Sequence, residues 1–163
     1  MDIRPARMDD AVAIGEIVNY HAERGRMLHR SLEAIYERLR NFLIADLDGE
    51  VLGCVAVEIA WADLAEVKSL AVAPHATGRG IGKALVRAAI ADARKLGVRR
   101  LFALTYVEAF FARHGFERID RKQLPSKVWT DCVYCPKRHV CDEIAVLLDF
   151  NRRDAEATPR ETP

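Results

Sequence analysis

The chain has no apolar run long enough to span a bilayer, and its start, Met1-Asp2-Ile3-Arg4-Pro5, carries no apolar signal core. A cytoplasmic location with no membrane partner is therefore the expectation. Excess charge is also absent. The 25 basic and 24 acidic residues leave a formal net charge of +1, which makes no global case for nucleic acid or an acidic membrane. Cysteine is scarce, with four residues, three of them in one cluster. A single cluster points to metal or thiol chemistry before a disulfide scaffold. There is no internal repeat and no domain-sized linker. What remains is ordinary globular composition in 163 residues, 50% hydrophobic and 30% charged, enough for a sizeable core. We expect one domain over residues 1–150, followed by a polar, frayed tail over 151–163 that contains Pro159 and Pro163.

Periodicity and turn residues place the elements. Asp2 to Arg4 reads as a strand. Asp9 and Asp10 then offer an N-cap and first-turn acid for a helix with Ala13, Ile14, Ile17 and Val18 on its apolar face. Ala22 to Arg26 breaks that pattern as a loop, and Ser31 caps a second helix bearing Leu32, Ile35, Tyr36 and Leu39. Asp48-Gly49 joins two strands, Phe42 to Asp46 and Val51 to Ile59, as a hairpin. An apolar strand from Leu64 to Ala73 precedes a helix whose inner face is Ile81, Leu85, Ala88, Ala89 and Leu96, opposite Lys83, Arg87 and Arg94. Gly97 ends that helix. Leu101 to Thr105 is a buried-type strand, Glu108 to Arg113 a short helix, and Glu143 to Phe150 a last strand. The fold class is α+β, with a mixed sheet whose central strand feeds a phosphate-binding helix.

That helix carries the strongest signal. Leu70-Ala71-Val72-Ala73-Pro74 runs into Thr77-Gly78-Arg79-Gly80-Ile81-Gly82-Lys83. The first-turn amides of a helix lack internal partners, its dipole is positive there, and glycines admit a bulky phosphate to the backbone. No Gly-Lys-Ser/Thr follows, so this is not a Walker loop. No acidic residue closes the next strand to hold a ribose, as a Rossmann site requires. The order of elements and the motif resemble instead the Gcn5-related N-acetyltransferase family, whose Gln/Arg-x-x-Gly-x-Gly/Ala falls on Thr77 to Gly82. Phe110-Phe111 followed by Gly115-Phe116 supports the match over roughly Asp2 to Ile119. Thr77 departs from the usual Gln or Arg, although its hydroxyl can still donate to phosphate.

The resemblance implies a mostly antiparallel sheet with splayed central strands and flanking helices. It implies acetyl-CoA as co-substrate, with pyrophosphate on the amides of Gly78 to Lys83. The pantetheine arm would pair with backbone groups of Leu70, Ala71 and Val72, and an N–H near Leu70 would polarise the thioester. Phe111 falls within the cofactor region, at the position where the family's usual general acid is a tyrosine. Tyr106 is the available phenol, either a proton donor or a packing residue. Glu66 stands where similar enzymes place a base, although alternation puts it on one face with Lys68 and Leu70, where it can simply pair with Lys68.

Longer strings resemble, more narrowly, the short single-domain N-acetylglutamate synthases of bacterial arginine biosynthesis. They are Arg30 to Glu37, Asp63 to Val72, Phe102 to Tyr106, and Lys127 to Glu143 with its Cys132-x-x-Cys135 and Cys141. The implied reaction is acetyl transfer to the α-amine of glutamate, with glutamine an alternative. Arg30, Lys68 and Lys127 are the candidate cations for acceptor carboxylates, each with a solvated surface charge as the plain reading. Cys132, Cys135, Cys141 and His139 are ligand types suited to zinc, but no second Cys-x-x-Cys completes a signature, and no metal is assigned. Cys54 reads as a core residue. Another small amine as acceptor, and a non-catalytic acetyl-CoA sensor suggested by Phe111 and Thr77, stay open, as does homodimerisation.

Overall fold

Tight polar turns between apolar strands dictate most of the topology. The computed structural model describes residues 1–125 and 143–151. In chain order the elements are β1 (Asp2–Pro5), α1 (Ala11–Ala22), α2 (Leu32–Glu37), β2 (Phe42–Leu47), β3 (Glu50–Trp61), β4 (Leu64–Val72), α3 (Ile81–Leu96), β5 (Arg100–Thr105), α4 (Glu108–Ala112), β6 (Glu117–Ile119) and β7 (Ile144–Asp149). The strands form a seven-stranded sheet in the order β1-β2-β3-β4-β5-β7-β6. The β1–β2, β2–β3, β5–β7 and β6–β7 pairs are antiparallel and β4–β5 is parallel. This is the mixed, mostly antiparallel α+β sheet with flanking helices that the sequence predicts. Among the described residues no helix is long and apolar enough to cross a membrane. They divide into two compact units, Met1–Glu58 with Val67–Asp92, and Ile59–Glu66 with the described residues from Ala93 onward.

In the first unit, Asp48 (φ 50°) and Gly49 (φ 88°) form the hairpin turn, with both central residues at positive φ as a type I′ turn requires. Arg4 of β1 grips Asp10 with two nitrogens, at 2.8 and 3.1 Å, and Asp46 of β2 at 3.0 Å. Asp10 also accepts the Arg7 amide at 2.7 Å. The Arg4 hydrogen bond holds the Asp10 carboxyl below its ordinary range, as a buried carboxylate requires. Helix α1 starts at Ala11, so its buried row is Ala11, Ile14, Ile17 and Val18, and the expected Ala13 is only partly covered. Ser31 Oγ caps α2 by accepting from the Ala34 amide at 3.1 Å. That helix has only six residues and turns one stripe inward. Ile35 is buried, as is Leu39 just beyond the helix, whereas Leu32 and Tyr36 are exposed, against expectation. Along α3 the buried positions are Ile81, Leu85, Val86, Ala89 and Ala93. The inner row continues at Ala93, which leaves the expected Leu96 exposed in the last turn.

Gly53 of β3 sets how closely α3 approaches. A Cβ there would fall 2.9 Å from the Ala71 carbonyl oxygen of β4, 2.9 Å from Leu85 Cδ1 and 3.2 Å from Ile81 Cγ2. The bare backbone therefore lets the start of α3 lie against the sheet beside the end of β4.

In the second unit, β5 pairs with β4 only over Leu64↔Arg100, Ala65↔Leu101 and Glu66↔Phe102, and with β7 along its whole length. A three-pair ladder is what splayed central strands require. Leu64, Phe102, Leu124, Ala145 and Ala60 form this unit's buried cluster. The Asp63 carbonyl accepts the Arg99 and Arg100 amides at 3.1 and 3.0 Å, and its carboxylate meets the Arg100 guanidinium at 3.1 Å.

Because the Ala71 carbonyl is backbone and cannot yield as a side-chain tip can, Gly53→Ala should destabilise the fold by about 1–3 kcal/mol. Chemical denaturation of the two proteins measures this, with the loss appearing as a lower midpoint at unchanged slope.

Candidate active site

Strand β4 loses its regularity at Ser69, whose φ of 54° lies in the left-handed region that non-glycine residues seldom adopt. Such a residue breaks the alternation of a strand. The expectation that Leu70 shares a face with Glu66 and Lys68 by strict alternation therefore stops at this point. Beyond it, the Ala73 amide donates to the Leu52 carbonyl at 2.8 Å. Alternation directs the backbone groups of Ala71 and Ala73 toward β3, and those of Leu70 and Val72 toward the opposite edge. On that edge the Val72 carbonyl lies 2.8 Å from His21 Nε2, and Arg26 Nη1 lies 3.1 Å from His21 Nδ1. The pair of contacts selects the tautomer in which Nε2–H donates to Val72 and Nδ1 accepts from Arg26.

After Pro74 the chain enters the glycine turn. Gly78 (φ 81°) and Gly80 (φ 77°) are both left-handed, with open space where a Cβ would stand, so backbone conformation and not crowding demands glycine. The first intrahelical bond of α3 runs from the Ala84 amide to the Gly80 carbonyl at 3.1 Å. The amides of Ile81, Gly82 and Lys83 thus precede the helical ladder, at the positive end of a 16-residue helix. Arg79 and Lys83 are exposed beside them. This cradle fits a phosphate. The Thr77 hydroxyl, expected to donate to phosphate, instead gives its proton to the Pro74 carbonyl.

A third feature lies in the same unit. Glu58 occupies the interior of β3 with only 8% of its surface exposed. Its carboxylate accepts from Arg30 Nη2 at 2.8 Å, lies 3.3 Å from Lys68 Nζ, and lies 3.8 Å from the largely exposed Arg38. Burial pushes the carboxyl up, but the Lys68 charge, the Arg30 hydrogen bond and the two guanidinium charges together hold it below its ordinary value. Arg30 is fixed from several sides. Asn19 brackets its backbone, accepting its amide at 2.9 Å and donating to its carbonyl at 2.8 Å. The guanidinium carbon stands 5.5 Å from the Phe42 ring centre. Its other terminal nitrogen, Nη1, is buried with no hydrogen-bond partner among the described residues. A buried guanidinium donor left over from an ion pair is suited to a ligand carboxylate.

Within the second unit, Glu66 is buried at 8% exposure in the last pair of the β4–β5 ladder, and Tyr106 is exposed just after β5. Phe111 is buried edge-on between Phe110 and Phe116, with ring centres 5.3 and 5.2 Å away. Lys127, Cys132, Cys135, His139 and Cys141 lie outside the described residues. Among the described residues no group of three His, Cys, Asp or Glu is placed to hold a metal.

Sequence reasoning found Arg30 and Lys68 but missed Glu58, which joins them. The available signal was a carboxylate inside an otherwise apolar strand, Gly53-Cys54-Val55-Ala56-Val57-Glu58. It also missed His21 and the left-handed Ser69, and nothing in the local sequence marks either.

A family model described as the acetyltransferase (GNAT) family matches residues 10–116. The chain belongs to this family. It is therefore an acetyltransferase whose co-substrate is acetyl-CoA, and the cradle at Gly78–Lys83 has the form that donor needs. Among relatives, an uncharacterized N-acetyltransferase of Chlorobaculum tepidum is 44% identical over 145 residues, covering 89% of this GNAT chain and 94% of that protein. An amino-acid acetyltransferase of Mycobacterium tuberculosis is 39% identical over 132 residues, covering 79% and 75%. Among solved structures, Rv2747 of Mycobacterium tuberculosis in complex with CoA and NLQ has TM-score 0.80 at 33% identity, covering 91% of this chain and 99% of that one. N-acetylglutamate synthase of Neisseria gonorrhoeae, complexed with coenzyme A and N-acetyl-glutamate, has TM-score 0.82 at 31% identity. This match covers 91% of the present chain but 35% of the gonococcal one.

Two measurements check the electrostatics of this GNAT site. Burial pushes the Cys54 thiol up to about 12, so peptide mapping after alkylation of the native protein at pH 8 should leave Cys54 unmodified. The Glu58 carboxyl is depressed in the fold, so its contribution to stability is complete above the ordinary carboxylate pKa. That contribution disappears as pH falls through the lower, folded value. Glu58→Gln should accordingly unfold more readily than wild type at pH 7, and the difference should shrink as both are titrated below pH ~4.

Proposed function

We propose that this enzyme transfers the acetyl group of acetyl-CoA to the α-amine of L-glutamate, the step that opens arginine biosynthesis. The observation that carries this reading is the Arg30–Glu58–Lys68 cluster, with Arg30 Nη1 buried and without an acceptor among the described residues. A buried cation presented in this way suits a carboxylate-bearing acceptor and opposes a polyamine. The relatives named as amino-acid acetyltransferases and the synthase complexed with N-acetyl-glutamate support the same acceptor class.

In this reading the amides of Ile81, Gly82 and Lys83 hold the pyrophosphate, and Arg79 and Lys83 add charge. Backbone groups of Leu70 and Val72, on the β4 edge facing away from β3, bind the pantetheine arm, and the Leu70 amide donates to the thioester carbonyl. Glu66 takes a proton from the ammonium group, directly or through water, which frees the nitrogen lone pair to attack the carbonyl carbon. The adduct's nitrogen gives up its second proton to solvent as the C–S bond breaks, and the thiolate leaves as such or takes a proton from Tyr106, which regains one from solvent. Arg30, Lys68 and Lys127 hold the acceptor's carboxylates.

Glutamine is the second reading, and Glu58 favours it. The carboxylate already occupies both cations, which weakens the case for a doubly anionic substrate.

A thiol-release assay with acetyl-CoA tests the proposal by comparing glutamate, glutamine, aspartate, lysine and spermidine. Saturable turnover with glutamate is expected, with lysine and spermidine inert. Turnover of lysine or spermidine alone would overturn the acceptor. Glu66→Gln should lower kcat by about 10²–10⁴ with acetyl-CoA affinity retained, and unchanged turnover would remove Glu66 from the mechanism.

A further inference from the structure

The two cations assigned to the acceptor both reach Glu58. Arg30 and Lys68 carry two positive charges, and Glu58, between them at 2.8 and 3.3 Å, carries one negative charge. Arg38 also reaches Glu58, at 3.8 Å, but its side chain is 57% exposed and its charge is screened by solvent. Taken by themselves these three side chains carry one net positive charge, and Arg30 Nη1 is a buried donor with no hydrogen-bond partner among the described residues. One carboxylate satisfies both the charge and the donor. A second carboxylate must be placed near an acid that is itself only 8% exposed.

We infer that Glu58 is the specificity-determining residue of the acceptor pocket, setting how strongly an acceptor with two carboxylates is taken relative to one with a single carboxylate. The inference rests on the amino-acid acceptor proposed above. It adds a residue with no direct hand in the chemistry. Glu58 works in two ways, fixing the Arg30 guanidinium through Nη2 so that Nη1 is presented, and lowering the local potential by one charge. Glutamate and glutamine are nearly isosteric, so their ratio reports the potential and cancels shape. A merely structural Glu58 would, on substitution, weaken both acceptors alike and leave the ratio where it was.

The test measures binding of L-glutamate and L-glutamine to the full chain saturated with CoA by titration calorimetry, alongside kcat/KM for each with acetyl-CoA. Glu58→Gln removes the negative charge and keeps the side chain's length. It should raise the glutamate-to-glutamine preference by about tenfold or more, the order expected for one charge acting over a few ångströms in a partly buried site, chiefly through Kd and KM. Lys68→Met removes a positive charge and should move the same ratio in the opposite direction. This second variant carries the test if Glu58→Gln does not fold. Opposite shifts support the inference, whether read by binding or by turnover. Ratios that stay within about twofold of wild type in the folded variants overturn it while leaving the acetyl acceptor intact. Failure of wild type to bind or turn over either amino acid overturns the proposed acceptor, and the inference falls with it.

Discussion

A carboxylate buried in a β-strand must be neutralised by charge, and the way Glu58 meets that requirement ties together the segments around β3 in the first unit. Leaving it alone in the interior of β3 would cost several kcal/mol, far more than the strand could recover by packing. Three cations answer from different parts of the chain: Arg30 from the segment between α1 and α2, Arg38 from just after α2, and Lys68 from β4. The segment carrying Arg30 is held in turn by Asn19, which satisfies its backbone in both directions. The cluster is therefore a structural tie that leaves one guanidinium nitrogen without a partner among the described residues, the donor proposed above to meet the acceptor.

Strand β4 links this tie to the glycine turn before α3. Lys68 reaches Glu58, the next residue is left-handed, and the following residues direct alternate backbone groups toward β3 and toward the opposite edge. His21 draws on the Val72 carbonyl while accepting from Arg26, so the loop after α1 is fastened to the end of the strand that leads into the glycine turn. Gly53 keeps the adjoining helix close to the sheet. A short length of chain thus serves several purposes, and the unusual backbone of Ser69 is the local cost of changing from one to the next.

Much of this was legible in the sequence because its causes are local. The Asp48-Gly49 turn, the Ser31 cap and the glycines before α3 each announce themselves by residue type, and the observed elements follow them closely. Inner faces were less legible. Ala13, Leu32, Tyr36 and Leu96 fit an apolar stripe as well as the residues that are buried, and only tertiary packing decides between them. The site divides in the same way. Its phosphate cradle is contiguous in the chain and could be read. The union of Arg30, Glu58 and Lys68 spans three separate segments, and no spacing rule connects them. The sequence did not suggest Glu58 as a partner for Lys68, and the structure places them 3.3 Å apart.

In the proposed reaction Arg30 receives a carboxylate of the acceptor. That contact is tested most directly by the guanidinium NMR resonance of Arg30, assigned through Arg30→Lys and followed as L-glutamate is added to the CoA-bound protein. That resonance should shift saturably, with a midpoint that matches the kinetic affinity for glutamate. A resonance that does not move while glutamate saturates the enzyme would contradict it.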